Sequence, residues 1–267
     1  MGNFEFKKKF GQNFLTDKNL LEKIVLEAGV TKDDTVVEIG AGKGALTEML
    51  SKHAKKVYAF EIDSELFDYL AQKFAGSNVR LLFEDVTKVS DKWLNEIVGG
   101  KFKLVANLPY YITSPILTRF LKNPNLISLT VMVQEEVADR IIAKPKTKDY
   151  GVLTIMCGLF GSAQKVMNVN RKMFYPVPNV DSAVVKIDRF KTQTNLNEDF
   201  INFVKKAFSM RRKKLSSNIL GKGISKEEIE QILVKMGYGE SARAEELSID
   251  DFKKLYTLIC DKNIKIN

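Results

Sequence analysis

The sequence predicts an α/β protein with a mostly parallel sheet, followed by a small all-helical domain. Up to about Phe190, short apolar runs alternate with helical patterns, which is typical of βαβ units. The polar, aperiodic stretch Lys191–Asn197 then reads as a linker, and only helical patterns follow it. For a chain of 267 residues we therefore expect two domains, residues 1–190 and residues 191–267.

The strands are predicted from short runs rich in apolar and β-branched residues, bounded by turn or polar residues. The first such run precedes a glycine-rich turn, as expected for the opening strand of a nucleotide-binding domain. In chain order the predicted strands are Thr35–Ile39, Lys56–Glu61, Val79–Asp85, Phe102–Ala106, Ser128–Val133, Val152–Phe160 and Ser182–Ile187.

The helices are predicted from apolar residues that recur three or four positions apart. Leu20, Leu21, Ile24 and Val25 form such a stripe, and Gly29 ends that helix. The predicted helices of the first domain are Asn19–Ala28, Ala45–His53, Ser64–Phe74, Pro115–Leu121 and Gln134–Ala143. Those of the second are Glu198–Met210, Ser225–Met236 and Ile249–Cys260.

Charge is the most informative property of the composition. Lys and Arg total 42 against 33 Asp and Glu, a formal net charge of +9 that favours a polyanionic partner. Two basic stretches are candidate RNA contacts, each weighed against a solvated surface: Lys7, Lys8 and Lys9, and Arg211, Arg212, Lys213 and Lys214.

Other function classes are disfavoured. No run approaches the roughly 18 apolar residues of a membrane span, and the basic start lacks the apolar segment of a secretory signal. Cys157 and Cys260 fit no metal spacing, so we expect no metal site and a reduced, cytoplasmic protein.

A glycine-rich turn, Glu38–Gly44, lies between a predicted strand and a predicted helix, where backbone can approach a ligand closely. Glu61 ends the next strand about 20 residues after Gly40, the usual place for an acid that binds ribose hydroxyls. This pair fits NAD and other adenosine cofactors alike. Because the third glycine comes one residue earlier than in Gly-x-Gly-x-x-Gly, S-adenosylmethionine is favoured over NAD.

Two more polar residues follow neighbouring strands. Asp85 ends the third strand, where its carboxylate could accept a hydrogen bond from the adenine amine of a bound cofactor. Asn107 ends the fourth, beside the expected transfer point. The carboxyl ends of parallel strands share one edge of the sheet, so we expect Glu61, Asp85 and Asn107 to lie in one pocket.

The segment Asn107-Leu108-Pro109-Tyr110 suits an exocyclic amine on a planar base. The Asn side-chain oxygen and the carbonyl before Pro109 can each accept one amine hydrogen, which steers the lone pair out of the ring plane. Pro109 has a fixed φ and no N–H to repel the amine, and Tyr110 offers a face for stacking. The alternative is an ordinary strand-end turn, since Asn-x-Pro is common in loops.

Several motifs, in order along nearly the whole chain, resemble the ribosomal RNA adenine N6,N6-dimethyltransferases, in particular their bacterial small-subunit branch. The glycine-rich turn resembles that family's cofactor loop, and Asn107–Pro115 resembles its catalytic motif. The other matching segments are Phe10–Leu15, Phe174–Ser182 and Phe208–Lys214.

The resemblance implies a Rossmann-like methyltransferase domain, a helical RNA-binding domain and S-adenosylmethionine as cofactor. It implies catalytic roles for Asn107, Pro109 and Tyr110, with Phe174 stacking on the other face of a flipped adenine, although both aromatics could be core residues. The implied cofactor contacts are Asn13, Leu15, Gly40, Gly42, Glu61, Asp85 and Asn107.

The resemblance also implies a substrate: two adjacent adenosines in the 3′-terminal hairpin loop of small-subunit (16S) rRNA, within an assembling subunit, with the enzyme as a monomer. Three alternatives stay open. One is a large-subunit adenine methyltransferase that confers macrolide resistance, and another is an assembly or transcription factor that acts by binding alone. A DNA adenine methyltransferase fits less well, since its motif usually has Pro where Leu108 stands.

Overall fold

The computed structural model describes residues 14–15, 17–191, 198–221 and 224–260. The chain divides into two compact units. Unit 1 comprises Met1–Ala138 and Gly161–Phe190, and unit 2 comprises Asp139–Phe160 and Lys191–Asn267. Within the described residues, none of the helices combines the length and the apolarity that crossing a bilayer requires.

Among the described residues of unit 1, a seven-stranded sheet has the order β4-β3-β2-β5-β6-β9-β7. Strands β2 to β6 are parallel, whereas β9 runs antiparallel to both β6 and β7. A separate antiparallel pair joins β1 to β8, with Leu15 opposite Phe174. The strands are β1 Phe14–Leu15, β2 Thr35–Ile39, β3 Lys56–Phe60, β4 Val79–Leu82, β5 Phe102–Asn107, β6 Leu126–Gln134, β7 Gly161–Val169, β8 Phe174–Tyr175 and β9 Ser182–Arg189.

The helices before β7 are α1 Lys18–Glu27, α2 Ala45–His53, α3 Phe67–Lys73, α4 Asp91–Val98, α5 Thr113–Lys122, α6 Glu135–Ile142 and α7 Val152–Phe160. Helix α1 begins where the Asp17 carboxylate accepts hydrogen bonds from the N–H groups of Asn19 and Leu20, a regular N-cap. Its apolar stripe buries Leu21, Ile24 and Val25 in the core of unit 1, as the spacing predicts.

The strand order places a crevice beside β2. From β2 the chain crosses to β3 on one side, and β5 lies on the other, which makes this the point where the order reverses and where such sheets bind ligands. The turn after β2 and the segment after β5 meet there. A Cβ added to Gly40 would lie 3.8 Å from both the Asn107 carbonyl oxygen and Pro109 Cδ.

Unit 2 is helical. After the linker it contains α8 Glu198–Ala207, α9 Leu215–Ile219, α10 Lys226–Lys235 and α11 Ile249–Cys260. Its core contains a group of aromatic side chains, with Phe200, Phe203 and Phe252 almost fully buried. A capping box at Ser225 and Glu228 fixes the start of α10.

The fold class is confirmed, but one predicted strand is wrong: Val152–Phe160 forms α7. Nearly every residue of this segment is apolar, so it has no period, and a buried helix and a buried strand look alike in sequence. The structure adds β7 directly after it, at the edge of the sheet. There the alternation is masked by polar residues such as Gln164, Lys165 and Asn168.

The predicted domain boundary after residue 190 coincides with the break between Phe190 and Lys191. Asp139–Phe160, however, belongs to unit 2, although the sequence analysis places it in the first domain. The reason is that Ile155, Met156 and Leu159 of α7 pack into the helical core of unit 2. An insertion of this kind leaves no signal in the linear sequence.

Candidate active site

A pocket opens at the carboxyl ends of β2 to β5. Every predicted catalytic or cofactor residue that the structure describes lines it: Leu15, Gly40, Gly42, Glu61, Asp85, Asn107, Pro109, Tyr110 and Phe174. Asn13 and the basic stretch Lys7–Lys9 lie outside the described residues. Residues from six separate segments of unit 1 thus meet in one place.

Glu61 holds the glycine-rich turn in position. Its Oε2 accepts the Gly42 N–H at 2.6 Å, and its Oε1 accepts the N–H groups of Ile62 and Asp63 at 2.9 Å each. Gly40 and Gly42 have φ values of 78° and 55°, a left-handed backbone that favours glycine. A carboxylate offers about four acceptor positions, so Glu61 can bind the turn and still accept from a ribose hydroxyl.

Glu38 is a buried acid that the sequence analysis does not single out. It lies at the end of β2, is 1% exposed and lines the pocket. Within the described residues neither its Oε2 nor the Thr47 hydroxyl has a hydrogen-bond partner. Burial raises the pKa of Glu38 to about 8, and the charge of Glu61 adds to this, although the proximity of Thr47 lowers the pKa somewhat. An uncharged, unpaired acid is therefore held at the base of the pocket.

Asp85 stands in the loop after β4. Its Oδ1 accepts the backbone N–H of Thr87 at 2.9 Å and the Thr87 hydroxyl at 2.6 Å. These bonds, together with Lys88, hold the pKa of Asp85 below its ordinary value. Asp85 is thus a fixed carboxylate that stays ionised at neutral pH and can accept a hydrogen bond from an amine.

The segment after β5 forms a rigid corner. Pro109 has φ −57° and ψ 130°, and its carbonyl accepts the Ile112 N–H at 3.1 Å, so it closes a 3₁₀ turn over Tyr110–Ile112. The N–H of Leu108 bonds to the Met132 carbonyl of β6. No hydrogen bond to the Leu108 carbonyl is found among the described residues, which leaves it available as an acceptor.

The two predicted stacking aromatics are held differently. The Tyr110 hydroxyl lies 2.9 Å from Ser182 Oγ at the start of β9, which fixes the orientation of a half-buried ring. Phe174 is 3% exposed and belongs to the hydrophobic core of unit 1, yet it also lines the pocket. Phe174 is thus both a core residue and part of the pocket wall.

The basic segment Arg211–Lys214 of unit 2 is divided by its ion pairs. Arg211 Nη2 lies 2.9 Å from Glu245, and its Nη1 donates to the Lys148 carbonyl. Lys214 lies 3.3 Å from Glu230. Arg212 and Lys213 are exposed and form no ion pair with any residue that the structure describes. Two of the four cations therefore form ion pairs within unit 2, and two face solvent.

The residues of the pocket fit a cationic nucleoside cofactor. S-adenosylmethionine carries a sulfonium and an ammonium group beside its adenosine. The unpaired Glu38 Oε2 suits a cationic group once the acid is ionised, a state that a bound cation favours, and Glu61 and Asp85 suit the hydroxyls and the amine of adenosine. The left-handed glycines bring backbone close to the ligand where a side chain would intrude.

Sequence reasoning misses Glu38, Ser182 and Tyr111, all of which bear on the site. The sequence could have marked Glu38 as a site residue, because it is a charged residue inside an apolar strand. Ser182 had none, because its contact with Tyr110 spans 72 positions. Tyr111 directly follows the motif and lines the pocket.

The chain is similar to known proteins over most of its length. Residues 3–261 match the model of the family described as ribosomal RNA adenine dimethylase. A ribosomal RNA small subunit methyltransferase A from Caldanaerobacter subterraneus subsp. tengcongensis is 45% identical over 258 residues, 93% of this chain and 95% of the relative. The enzyme of that name from Leuconostoc mesenteroides is 45% identical over 273 residues, 97% and 91% of the two chains.

Two solved structures are similar over most of the chain. A dimethyladenosine transferase from Plasmodium falciparum superposes with a TM-score of 0.82 at 28% identity, covering 95% of this chain and all of the other. The 23S rRNA methyltransferase ErmE superposes with a TM-score of 0.72 at 28% identity, covering 92% and 98%. The resemblance predicted from the motifs is confirmed: the chain belongs to the ribosomal RNA adenine dimethylase family and is an S-adenosylmethionine-dependent methyltransferase with a Rossmann-like fold.

Proposed function

We propose that this enzyme dimethylates N6 of two adjacent adenosines in the 3′-terminal hairpin loop of small-subunit rRNA. It acts on an assembling subunit in the cytoplasm, as a monomer. The names of the relatives that are 40–45% identical support the small subunit as the target. ErmE, named for 23S rRNA, is 28% identical, and this favours the small-subunit function over the large-subunit alternative.

One observation carries the chemistry: the glycine-rich turn, two strand-end acids and the Asn107–Tyr110 corner line one pocket. The cofactor part and the amine-holding part are adjacent, since Gly40 lies beside the Asn107 carbonyl and Pro109. A methyl donor held by the turn and the acids is thus next to an amine held by the corner. Aligning two reacting groups in this way removes much of the entropic barrier to transfer.

The target amine is held by two acceptors. In the proposal, Asn107 Oδ1 and the Leu108 carbonyl each accept one N6 hydrogen, so the nitrogen lone pair turns away from the base and towards the donor. Pro109 brings no N–H into this position and is fixed by its turn. After one transfer a single hydrogen remains on the nitrogen, and either acceptor can hold it for the second.

No residue needs to act as a general base. When bound, S-adenosylmethionine supplies an electrophilic methyl group on a positively charged sulfur. The amine proton becomes acidic only as the new bond forms, and water can then remove it. The acids that line the pocket stay with the cofactor: Glu61 is engaged by three backbone N–H groups, and Asp85 is engaged by Thr87.

A base within a hairpin reaches such a pocket only when it is extruded, which costs a few kcal/mol. Stacking on an aromatic ring returns roughly 1–3 kcal/mol. Tyr110, oriented by Ser182, offers one face, and Phe174 in the pocket wall offers a second. On unit 2, the solvent-facing Arg212 and Lys213 are suited to RNA phosphates.

The test is a methylation assay with radiolabelled S-adenosylmethionine and ribosomal subunits from a strain that lacks this modification. The RNA is digested, and the labelled nucleoside is identified by chromatography. We expect N6,N6-dimethyladenosine from the small subunit only, and none with Asn107→Ala.

The other outcomes separate the alternatives. Label confined to the large subunit would assign the chain to the resistance methyltransferases. Tight subunit binding without label on either subunit would indicate a factor that works by occupancy. In a parallel assay with duplex DNA in place of the subunits, label in the DNA would point to the DNA methyltransferase alternative.

A further inference from the structure

Tyr111 is an aromatic side chain of the pocket to which the proposed function gives no role. It sits in the 3₁₀ turn Tyr110–Ile112 and lines the pocket, but it is 61% exposed. Tyr110 is tied to Ser182, whereas Tyr111 makes no hydrogen bond or ring contact with any residue that the structure describes. A large, mostly exposed ring thus borders the pocket.

The residues that share the pocket with Tyr111 indicate what the ring borders. Asp85 and Glu61 line the same cavity, and they are the carboxylates suited to the adenine amine and the ribose hydroxyls. Consistent with this, partial burial and the negative charges of Asp85 and Glu61 raise the pKa of Tyr111, so the phenol stays protonated as a hydrogen-bond donor. The ring therefore borders the part of the pocket suited to an adenosyl group.

We propose that Tyr111 covers the adenosyl group of the bound cofactor and contributes directly to cofactor affinity. This inference rests on the proposed function, because it takes the pocket as a cofactor site. The rigid turn that places Tyr110 for the target base presents the neighbouring Tyr111 to the cofactor. One short segment then serves both reactants.

A competing role is stacking of Tyr111 on an RNA base beside the target. The lining of the pocket favours the cofactor, because Tyr111 shares it with Asp85 and Glu61, the acids suited to adenosine. The RNA role is nevertheless a distinct outcome of the test below.

The test measures binding of two ligands by titration calorimetry, S-adenosylhomocysteine and 5′-methylthioadenosine. Both carry the adenosyl group, and only the first carries the amino acid part. Because base–aromatic stacking is worth roughly 1–3 kcal/mol, we expect Tyr111→Ala to weaken both ligands by the same factor, about 5- to 100-fold. Tyr111→Phe keeps the ring and should stay within about threefold of the parent protein.

Tyr175→Ala is the matched control, since Tyr175 is 64% exposed and does not line the pocket. The affinity of the Tyr175→Ala variant for both ligands should equal that of the parent protein. A second measurement needs no variant: tyrosine nitration mapped by mass spectrometry. Saturating S-adenosylhomocysteine should protect Tyr111 from nitration and leave Tyr175 reactive.

Unchanged affinity of Tyr111→Ala, with methyl transfer to the subunit reduced, would overturn the proposal and assign the ring to RNA. Equal nitration of Tyr111 with and without ligand would also overturn it. These results are separable from a failure of the proposed function. If the protein binds both ligands through Tyr111 but does not methylate small subunits, the role of Tyr111 stands and the proposed function fails. If it binds neither ligand, both proposals fail.

Discussion

The pocket of unit 1 and the basic segment of unit 2 relate sequence to structure in opposite ways. In the pocket, Gly40, Glu61, Asp85 and Asn107 are more than 20 positions apart from one another and yet line one cavity. In the basic segment, four adjacent cations separate into two that form ion pairs and two that face solvent. In both regions, separation along the chain is therefore a poor guide to which residues share the same surroundings.

The difference has a physical origin. Parallel strands all end at the same edge of a sheet, so residues that follow strands converge whatever their separation. The basic segment lies in the turn between α8 and α9, where adjacent side chains point in different directions and so meet different surroundings. Convergence at strand ends can thus be predicted from a sequence. The sorting of a charge run into structural and free cations cannot.

The largest expected effect comes from Asn107→Ala, which tests whether the convergent pocket does the chemistry. Loss of one acceptor for the target amine should lower kcat by about 100-fold or more, the size seen when a single transition-state hydrogen bond is removed. Single-turnover kinetics on undermethylated small subunits measures it. The matched variant Asn168→Ala, on the edge strand β7, should keep the parent rate; equal losses in both would refute a specific role for Asn107.

The pH dependence of stability tests whether Glu38 is a buried acid with a raised pKa. Its pKa is raised from 4.5 to about 8, so the folded protein holds a proton that the unfolded chain releases. The stabilisation from this proton is complete below pH 4.5 and is lost as pH rises through 8. Near neutral pH we expect the unfolding free energy of the ligand-free protein to fall by at most about 1.4 kcal/mol per pH unit from this group.

The measurement is chemical denaturation between pH 5 and pH 9, with Glu38→Gln as comparison. Gln cannot ionise, so this variant should show a flatter pH dependence over that range. A cationic cofactor favours the ionised acid, so affinity of the parent for S-adenosylmethionine should rise with pH towards 8. Identical pH profiles for parent and variant would mean that Glu38 does not titrate there.

The basic segment is tested by two double variants. Arg212→Ala with Lys213→Ala removes the solvent-facing cations, and we expect about tenfold weaker binding to small subunits at 0.15 M salt. The slope of log affinity against log salt should fall by about 0.7–0.9 for each lost phosphate contact. Folding stability should be unchanged.

Arg211→Ala with Lys214→Ala removes the paired cations instead. Both pairs are partly exposed, so unfolding should become easier by at most about 1 kcal/mol per pair, and the salt slope should change less than in the first variant. If the two double variants weaken subunit binding and alter the slope equally, the difference between paired and solvent-facing cations has no effect on RNA binding.

The smallest expected effect is that of Ser182→Ala, which frees the Tyr110 hydroxyl. A typical hydrogen bond contributes about 0.5–1.5 kcal/mol, so kcat should fall about two- to tenfold. Tyr110→Phe should cause a similar loss, and the double variant should be no worse than either single one. Additive losses would show that Ser182 acts on something other than Tyr110.

Much of unit 1 could be predicted because its strands are short apolar runs separated by amphipathic helices. Strand β2 and helix α2 match their predicted bounds. Helix α7 could not be predicted, since an apolar run of nine residues has no period to distinguish helix from strand. Its membership of unit 2 depends on contacts with residues more than 40 positions further on.

The candidate site likewise contains residues that the sequence predicts and residues that it does not. Residues at strand ends, such as Glu61 and Asp85, could be predicted from the βαβ pattern alone. Phe174 and Leu15 are adjacent because β1 pairs with β8, a long-range contact that the sequence analysis reaches only through the family resemblance. The unpaired state of Glu38 is a property of packing, which a sequence pattern does not carry.

We propose that the enzyme uses this pocket to dimethylate two adjacent adenosines near the 3′ end of small-subunit rRNA. The most direct test is primer extension on undermethylated small subunits after incubation with the enzyme and S-adenosylmethionine, because a dimethylated N6 cannot pair and stops reverse transcriptase. We predict two adjacent stops in the terminal hairpin loop with the parent protein and none with Asn107→Ala. Stops at other positions, or unchanged stops with Asn107→Ala, would contradict the claim.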